Sequence, residues 1–328
     1  MRIFTNPNYN FIKWRWHAII VSLIVVLAGI ALAVSRGGLP LGIDFSGGTI
    51  VVVKFQEPVS EDQVRGAVAP LPGEEVVQQY GAAGDNEWLI RLAQQETAEQ
   101  GANLEQGSQQ ILTALRGANL PQFELLSREI VGPVVGADLQ RRGLYATLAS
   151  ILAITIYIGF RFRFSFAVGA IAATFHDIIV TLAFLIFFGY ELSLNIVAAL
   201  LTITGYSVND TIVVFDRVRE NLRGRSRDSL EQVVNTSVNQ TLSRTIITAG
   251  TTFLSVLALF LFGGDVLRGF AFTMLVGIVS GTYSTIFIAS SIAIILSQRK
   301  RQGASATAAG TPDAPARQGR KARGARAS

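Results

Sequence analysis

The stretch GYSVNDTIVVFDR, residues 205–217, places a carboxylate inside a segment that is otherwise apolar enough for lipid. It closes an apolar run at about residues 192–215, and Asp210 lies six positions before Asp216. A charged side chain in hydrocarbon is costly, so it usually faces a protein interior or a water-filled cavity. Asp210 is therefore the first candidate functional residue of the chain.

The composition indicates a membrane protein. Half of the 328 residues are apolar and only 16% are charged, whereas about a quarter of a soluble domain is charged. The chain has no cysteine and only two histidines, His17 and His176, so a thiolate or histidine metal site is not expected. No G-x-x-x-x-G-K-[ST] loop and no catalytic triad is visible. We predict a protein that is not an enzyme and holds no metal or cofactor.

Six apolar runs approach the length of about 20 residues that a helix needs to cross a bilayer. The first follows basic residues and contains Ala31-Leu32-Ala33, as a signal peptide does, but it is longer than a usual signal-peptide core. We interpret it as an uncleaved span at 17–35, followed by five spans within 143–297. The runs lie at about 18–34, 143–160, 165–188, 192–215, 246–262 and 269–296.

Basic residues between the runs predict the orientation, because Lys and Arg accumulate on the cytoplasmic side. A cytoplasmic N-terminus, residues 1–16, places 18 Lys and Arg on that side and one, Arg268, in the short turns opposite. Arg36, Arg141 and Arg142 argue weakly the other way. The tail at 298–328 is basic but lacks aromatics, so we expect it to be disordered, cytoplasmic and close to lipid headgroups, without nucleic acid as a partner.

The acidic segment at 36–142 is predicted to form an extracytoplasmic domain. A β-branched strand at 49–55 precedes a helix that a capping box of Ser60 and Gln63 begins. Two further strands form a hairpin, a helix ends at Gly117, and a last strand covers 122–130. The order β-α-β-β-α-β is typical of the ferredoxin-like fold.

Glycine and proline mark both junctions of this domain with the membrane. They are typical of ordinary turns at a domain boundary, and they also suit a pair of hinges on which the domain tilts. The sequence leaves both interpretations open. The candidate hinge residues are Gly37, Gly38, Gly47, Gly48, Gly132 and Pro133.

Ionisable residues inside the predicted spans are the candidate site. Asp210 and Arg244 lie on consecutive antiparallel spans and can reach a similar depth, although Arg244 also fits a topology signal near the membrane surface. His176 and Asp177 lie in the middle of the third span, where an interhelical hydrogen bond and a proton relay are equally compatible. Candidate polar lining around Asp210 comprises Tyr206, Ser207 and Asn209.

Five motifs together resemble the SecF family of the bacterial protein-export machinery: GIDFSGGT, VGPVVG, HDIIVT, GYSVNDTIVVFDRVREN and LSRTIITAGTT. The resemblance covers residues 10–297. It implies an RND-like half of six membrane helices in the cell inner membrane, with a periplasmic domain after the first helix. It also implies that Asp210 and Arg244 are the family's essential membrane aspartate and arginine, which conduct protons.

The resemblance further implies three partners: SecD as the other half, the SecYEG channel, and the unfolded preprotein. It also implies the function, which is to use the proton gradient to help pull the preprotein outward. Two alternatives remain. Half of a small-molecule RND exporter would have a larger outer domain, and a passive assembly factor would tolerate neutralisation of Asp210.

Overall fold

The computed structural model describes residues 7–73, 75–81, 84–92, 105–224 and 228–298. Within these residues six helices are long and apolar enough to cross a membrane. One small antiparallel sheet with two helices lies between the first and second of them. The predicted multi-pass membrane protein with one α+β domain is confirmed. The predicted disordered tail lies outside the described residues from residue 299 onward.

The elements follow in chain order from the N-terminal end. After the last of them, the helix continues through a π-helical turn at Thr285–Ala289 to residue 298. The elements are α1 (Arg15–Ser35), α2 (Ile43–Ser46), β1 (Gly48–Phe55), α3 (Glu61–Val68), β2 (Glu75–Tyr80), β3 (Glu87–Leu92), α4 (Gln106–Gly117), β4 (Phe123–Val131), α5 (Pro133–Arg161), α6 (Phe164–Phe187), α7 (Leu194–Gly224), α8 (Leu230–Phe262) and α9 (Asp265–Ser284).

The segment from β1 to β4, here called the inserted domain, has the element order predicted from the sequence. Its strands are arranged β2-β3-β1-β4, and every neighbouring pair is antiparallel. Ser60 and Gln63 form the predicted capping box of α3. One face of the sheet packs against α3 and α4 in a core that contains Val51, Ile90 and Ile111.

Two membrane helices begin earlier than the apolar runs predict. The α5 helix begins at Pro133, so residues 133–142, predicted to belong to the outer domain, are its first turns. Proline suits the first position of a helix because its missing N–H would be unpaired there in any case. The α8 helix begins at Leu230, after a capping box of Ser229 and Gln232. Hydropathy does not detect these ends because they are polar.

Small residues bring α9 close to α7. Gly277 and Gly281 on α9 face Ile203 and Ser207 on α7, and a Cβ added at Gly281 would lie 2.9 Å from the Cβ of Ser207. Small residues four positions apart let membrane helices approach closely. In the span Val266–Gln298, which contains most of α9, 67% of the most apolar stretch of 18 residues is buried. The corresponding share is 11% for α8 and 6% for α5. Much of the surface of α5 and of α8 is therefore left uncovered by the described residues.

Candidate functional site

Asp210 lies near the middle of α7 and meets α8. The hydroxyl of Thr245 donates a hydrogen bond of 2.7 Å to Asp210 Oδ1. Asp210 Oδ2 is buried and has no hydrogen-bond partner among the described residues. A buried carboxylate oxygen normally accepts a hydrogen bond. This oxygen can therefore take up a proton or accept a hydrogen bond from a group outside the described residues.

Arg244 directly precedes Thr245 on α8, but its side chain is exposed. In the part of the chain that the structure describes, no ion pair joins it to Asp210. The two residues lie on neighbouring helices, and the hydrogen bond that Asp210 accepts from α8 is donated by Thr245 rather than by Arg244. A change in the tilt or rotation of α7 against α8 would alter the distance between the two charges.

Polar and small residues are exposed on α7 and α8 near Asp210, and together they are here called the polar face. Threonine and serine hydroxyls on its α8 side donate to carbonyls one turn back, as Thr248 does to Arg244 at 2.9 Å. Such bonds satisfy hydroxyls in lipid. Tyr206 is half-buried nearby. The face comprises Thr202, Gly205 and Asn209 on α7 and Arg244, Thr248, Thr251 and Ser255 on α8.

Asp177 has the opposite surroundings, because its side chain is 1% exposed and both oxygens are engaged. Oδ2 accepts from the hydroxyls of Ser207 at 2.5 Å and Ser284 at 2.8 Å. Oδ1 accepts from Ser280 at 2.8 Å. These bonds join α6, α7 and α9 around one carboxylate, here called the Asp177 cluster. Ser207, predicted as lining for Asp210, belongs to this cluster.

His176 lies next to Asp177 on α6 and also contacts its carboxylate. Its Nδ1 lies 3.1 Å from Asp177 Oδ1, and its ring stacks on Tyr283 at a centroid distance of 6.1 Å. The Tyr283 hydroxyl donates to the carbonyl of Ala18 at 2.7 Å. His176 Nε2 is buried without a hydrogen-bond partner in the described ranges. The contacts of His176 and Tyr283 therefore link α1, α6 and α9. The structure does not bring His176 or Asp177 into contact with Asp210.

Two contact residues of Asp177, Ser280 and Ser284, were missed by sequence reasoning. Ser280 and Ser284 lie four positions apart on an apolar helix, a spacing that puts both on one face and could have indicated a shared partner. Among the described residues, no group of three or more His, Cys, Asp or Glu side chains is arranged to hold a metal ion.

Four of the five candidate hinge glycines adopt backbone conformations that favour glycine. Gly37, Gly38, Gly47 and Gly48 have φ of 77°, 134°, 70° and 133°. A side chain at these values of φ would be strained. Gly132 precedes α5 with φ of −68°, so its backbone does not require glycine. The first two pairs are therefore constrained by local geometry, and movement at them stays a prediction.

The fold and the site together define a multi-pass membrane protein that carries ionisable groups within its helices. The family model described as "Protein export membrane protein SecD/SecF, C-terminal" matches residues 110–299, and the model "SecD/SecF GG Motif" matches residues 36–59. The chain belongs to the SecD/SecF family, as a SecF protein.

Curated relatives support this assignment along almost the whole chain. Protein translocase subunit SecF of Rhodothermus marinus is 42% identical over 308 residues, covering 91% of this chain and 96% of that protein. The SecF subunit of Escherichia coli O157:H7 is 40% identical over 293 residues and covers 89% of each chain.

Two solved SecDF structures have the same fold. The crystal structure of SecDF from Thermus thermophilus, a translocon-associated membrane protein, aligns with a TM-score of 0.78 and 32% identity, and the match covers 90% of this chain. A SecDF structure in a super-membrane-facing form aligns with a TM-score of 0.68. This chain spans 39% and 41% of those chains, so the match covers less than half of each SecDF chain.

Proposed function

We propose that this chain pairs with SecD and uses the proton motive force to complete preprotein translocation through SecYEG after the ATP-dependent step. In this proposal the membrane is the bacterial inner membrane, both termini are cytoplasmic, and the inserted domain lies in the periplasm. The proposal rests on the surroundings of Asp210: one oxygen accepts a hydrogen bond from Thr245, and the other has no hydrogen-bond partner among the residues that the structure describes.

The polar face gives SecD its place in this proposal. The hydrocarbon of lipid supplies no hydrogen bond or opposite charge to the exposed Asn209 and Arg244. A second membrane half would cover these residues and enclose Asp210 between the two halves. Working sites at the interface of two related membrane halves are common among transporters. The SecDF structures support the pairing because their chains are more than twice as long as the matched part.

Arg244 and Asp210 form the proposed proton-conducting pair. Arg244 keeps its charge under all conditions in a protein, so it acts by its distance from the carboxylate. Approach favours the charged carboxylate, and separation favours the protonated one. If the two arrangements open to opposite sides of the membrane, each proton that passes is coupled to a movement of α7. One charge crossing 100 mV provides about 2.3 kcal/mol.

The inserted domain is the proposed moving part. It would tilt on the glycine pairs Gly37-Gly38 and Gly47-Gly48 and draw the preprotein outward. Repeated tilting, driven by several protons, would prevent the preprotein from sliding back.

The test is export into proteoliposomes that contain this chain, SecD and SecYEG, with and without an imposed proton gradient. Asp210→Asn keeps the size of the side chain but cannot release a proton, so it should assemble normally and lose the stimulation by the gradient. Glu220→Gln is the matched control, because Glu220 is an exposed carboxylate on the same helix. Stimulation that survives in Asp210→Asn would identify a structural carboxylate or a passive assembly factor.

A further inference from the structure

The connector that leads from α1 to the inserted domain is bonded to the turn between α6 and α7. The amide of Gly42 donates to the carbonyl of Leu192 at 2.8 Å, and the amide of Leu192 donates to the carbonyl of Pro40 at 2.7 Å. A short parallel bridge pairs Leu41 with Leu192. The connector is therefore held by the same turn from which α7 begins.

Asp44 binds the first turn of α7. Its Oδ2 accepts a hydrogen bond of 2.8 Å from the amide of Leu194, the first residue of that helix. The amides of a first helical turn have no partner within the helix, and a carboxylate there also interacts favourably with the helix dipole. Asp44 belongs to α2, in the GIDFSGGT motif, so this motif contacts the helix that carries Asp210.

Arg91 connects the sheet of the inserted domain to the turn before α7. It lies on β3, donates to the carbonyl of Leu41 at 3.1 Å, and forms an ion pair of 2.6 Å with Glu191 in the turn before α7. Its side chain is 12% exposed. Partly buried pairs are less screened by solvent than surface pairs. We call Asp44, Arg91 and Glu191 the α7 joint.

The α7 joint is suited to transmit movement. The α2 helix also packs on α5, where a Cβ at Gly136 would lie 3.0 Å from the amide nitrogen of Gly47. A cavity of about 930 Å³ borders the joint and is lined by Leu41, Phe45 and Leu192 among others. The connector and α2 therefore contact both α5 and the turn before α7, so a shift of the connector is passed to both helices.

The α7 helix connects the joint to the proposed proton site. It is continuous from Leu194 to Gly224, and Asp210 lies about 24 Å from its first residue at 1.5 Å per residue. An unbroken helix moves largely as one body. A displacement of its first turn therefore reaches Asp210, and a movement of Asp210 against α8 reaches the joint.

We propose that Asp44 and Arg91 are positioning residues that tie the orientation of the inserted domain to the placement of α7. Asp44 holds the first turn of the helix from the connector. Arg91, through Glu191, adds the sheet of the inserted domain to the same contact. This inference rests on the proposed function for its consequence in export, but the joint itself is measurable without export.

The first measurement is the distance between two spin labels in the complex with SecD. The chain has no cysteine, so Gln109→Cys on α4 and Val266→Cys on α9 give two labels at exposed positions. In Arg91→Glu the ratio of molecules at other distances to molecules at the wild-type distance should rise about fivefold or more, as for a weak coupling between sites. Arg91→Glu with Glu191→Arg should restore it, because the pair is rebuilt with reversed charges.

Arg65→Glu is the matched control, since Arg65 pairs with Glu61 on exposed α3, away from the membrane helices. Its distance distribution should equal that of the wild type. Equal distributions for Arg91→Glu and the wild type would overturn the inference, as would failure of the double variant to restore the distance. Neither result would bear on Asp210, which is tested separately by Asp210→Asn.

The second measurement is gradient-stimulated export together with hydrogen exchange at the start of α7. Asp44→Ala removes the acceptor, so exchange of the Leu194 amide should rise and export stimulation should fall about fivefold. Asp44→Asn keeps an acceptor oxygen and should restore most of both. Unchanged exchange in Asp44→Ala, or faster exchange with full stimulation, would contradict the positioning role.

Discussion

Asp177 and Asp210 lie on adjacent membrane helices, and their carboxylates differ in the number of hydrogen bonds that they accept. Three hydroxyls and an imidazole surround Asp177, and both of its oxygens accept hydrogen bonds. Asp210 has one hydrogen bond from Thr245, and its second oxygen has none within the described residues. A fully bonded carboxylate is a fixed part of the packing, whereas a half-bonded one can change its charge without breaking a network.

The surroundings of the two residues differ in the same way. The Asp177 cluster lies between α6, α7 and α9, where Gly281 allows close contact. Asp210 lies beside the polar face, which this chain leaves uncovered. The comparison predicts that Asp177 matters for folding and Asp210 for coupling to the proton gradient.

The largest expected effect on stability is therefore at Asp177. Asp177→Ala removes the carboxylate that accepts from Ser207, Ser280 and Ser284, of which Ser284 retains a bond to the carbonyl of Gly281. Each buried group left unsatisfied costs about 1–3 kcal/mol. We expect a loss of about 3 kcal/mol in the free energy of unfolding, measured by reversible denaturation in detergent. Asp210→Ala removes one hydrogen bond and should cost about 1 kcal/mol. Equal losses for the two variants would remove the distinction.

The next effect concerns Arg244, which is exposed on the polar face. Arg244→Ala should lower gradient-stimulated export about tenfold, equivalent to about 1.4 kcal/mol, because the charge that acts on Asp210 is lost. Arg244→Lys keeps the charge but loses the planar guanidinium, so an intermediate loss is expected. Wild-type stimulation in Arg244→Ala would mean that the residue serves only as a topology signal.

The smallest effect is expected at Thr245, the single hydrogen-bond donor to Asp210 among the described residues. Thr245→Val keeps the shape and removes the hydroxyl, which is worth about 1 kcal/mol in a typical hydrogen bond. We expect stimulation by the gradient to fall about fivefold. Thr245→Ser is the control that keeps the donor. A serine variant as impaired as the valine variant would assign the loss to packing.

The sequence allowed much of the fold to be predicted, because its signals are local. The capping box of Ser60 and Gln63 and the hairpin of β2 and β3 occur as predicted. The early starts of α5 and α8 were missed, since hydropathy follows lipid contact and a helix can extend beyond it. The capping residues Ser229 and Gln232 were the available signal for α8.

The site was predicted less completely, because its contacts depend on helix rotation. Sequence reasoning placed Asp210 and Arg244 at similar depth, but it could not show that Thr245 makes the contact. It could not assign Ser207 to Asp177 either, since one helix turn presents Ser207 and Asp210 to different neighbours. The contact between Asp44 and Leu194 joins residues 150 positions apart, so no local pattern indicates it.

The most direct test of the central claim is infrared difference spectroscopy on the complex with SecD, recorded while the pH is changed. The carboxyl stretching band of a protonated aspartic acid reports the charge of the individual side chain. We predict a band that appears and disappears with pH, that is absent in Asp210→Asn, and that persists in Asp177→Asn. A band that persists in Asp210→Asn, or that is lost only in Asp177→Asn, would contradict the assignment of Asp210 as the group that carries the proton.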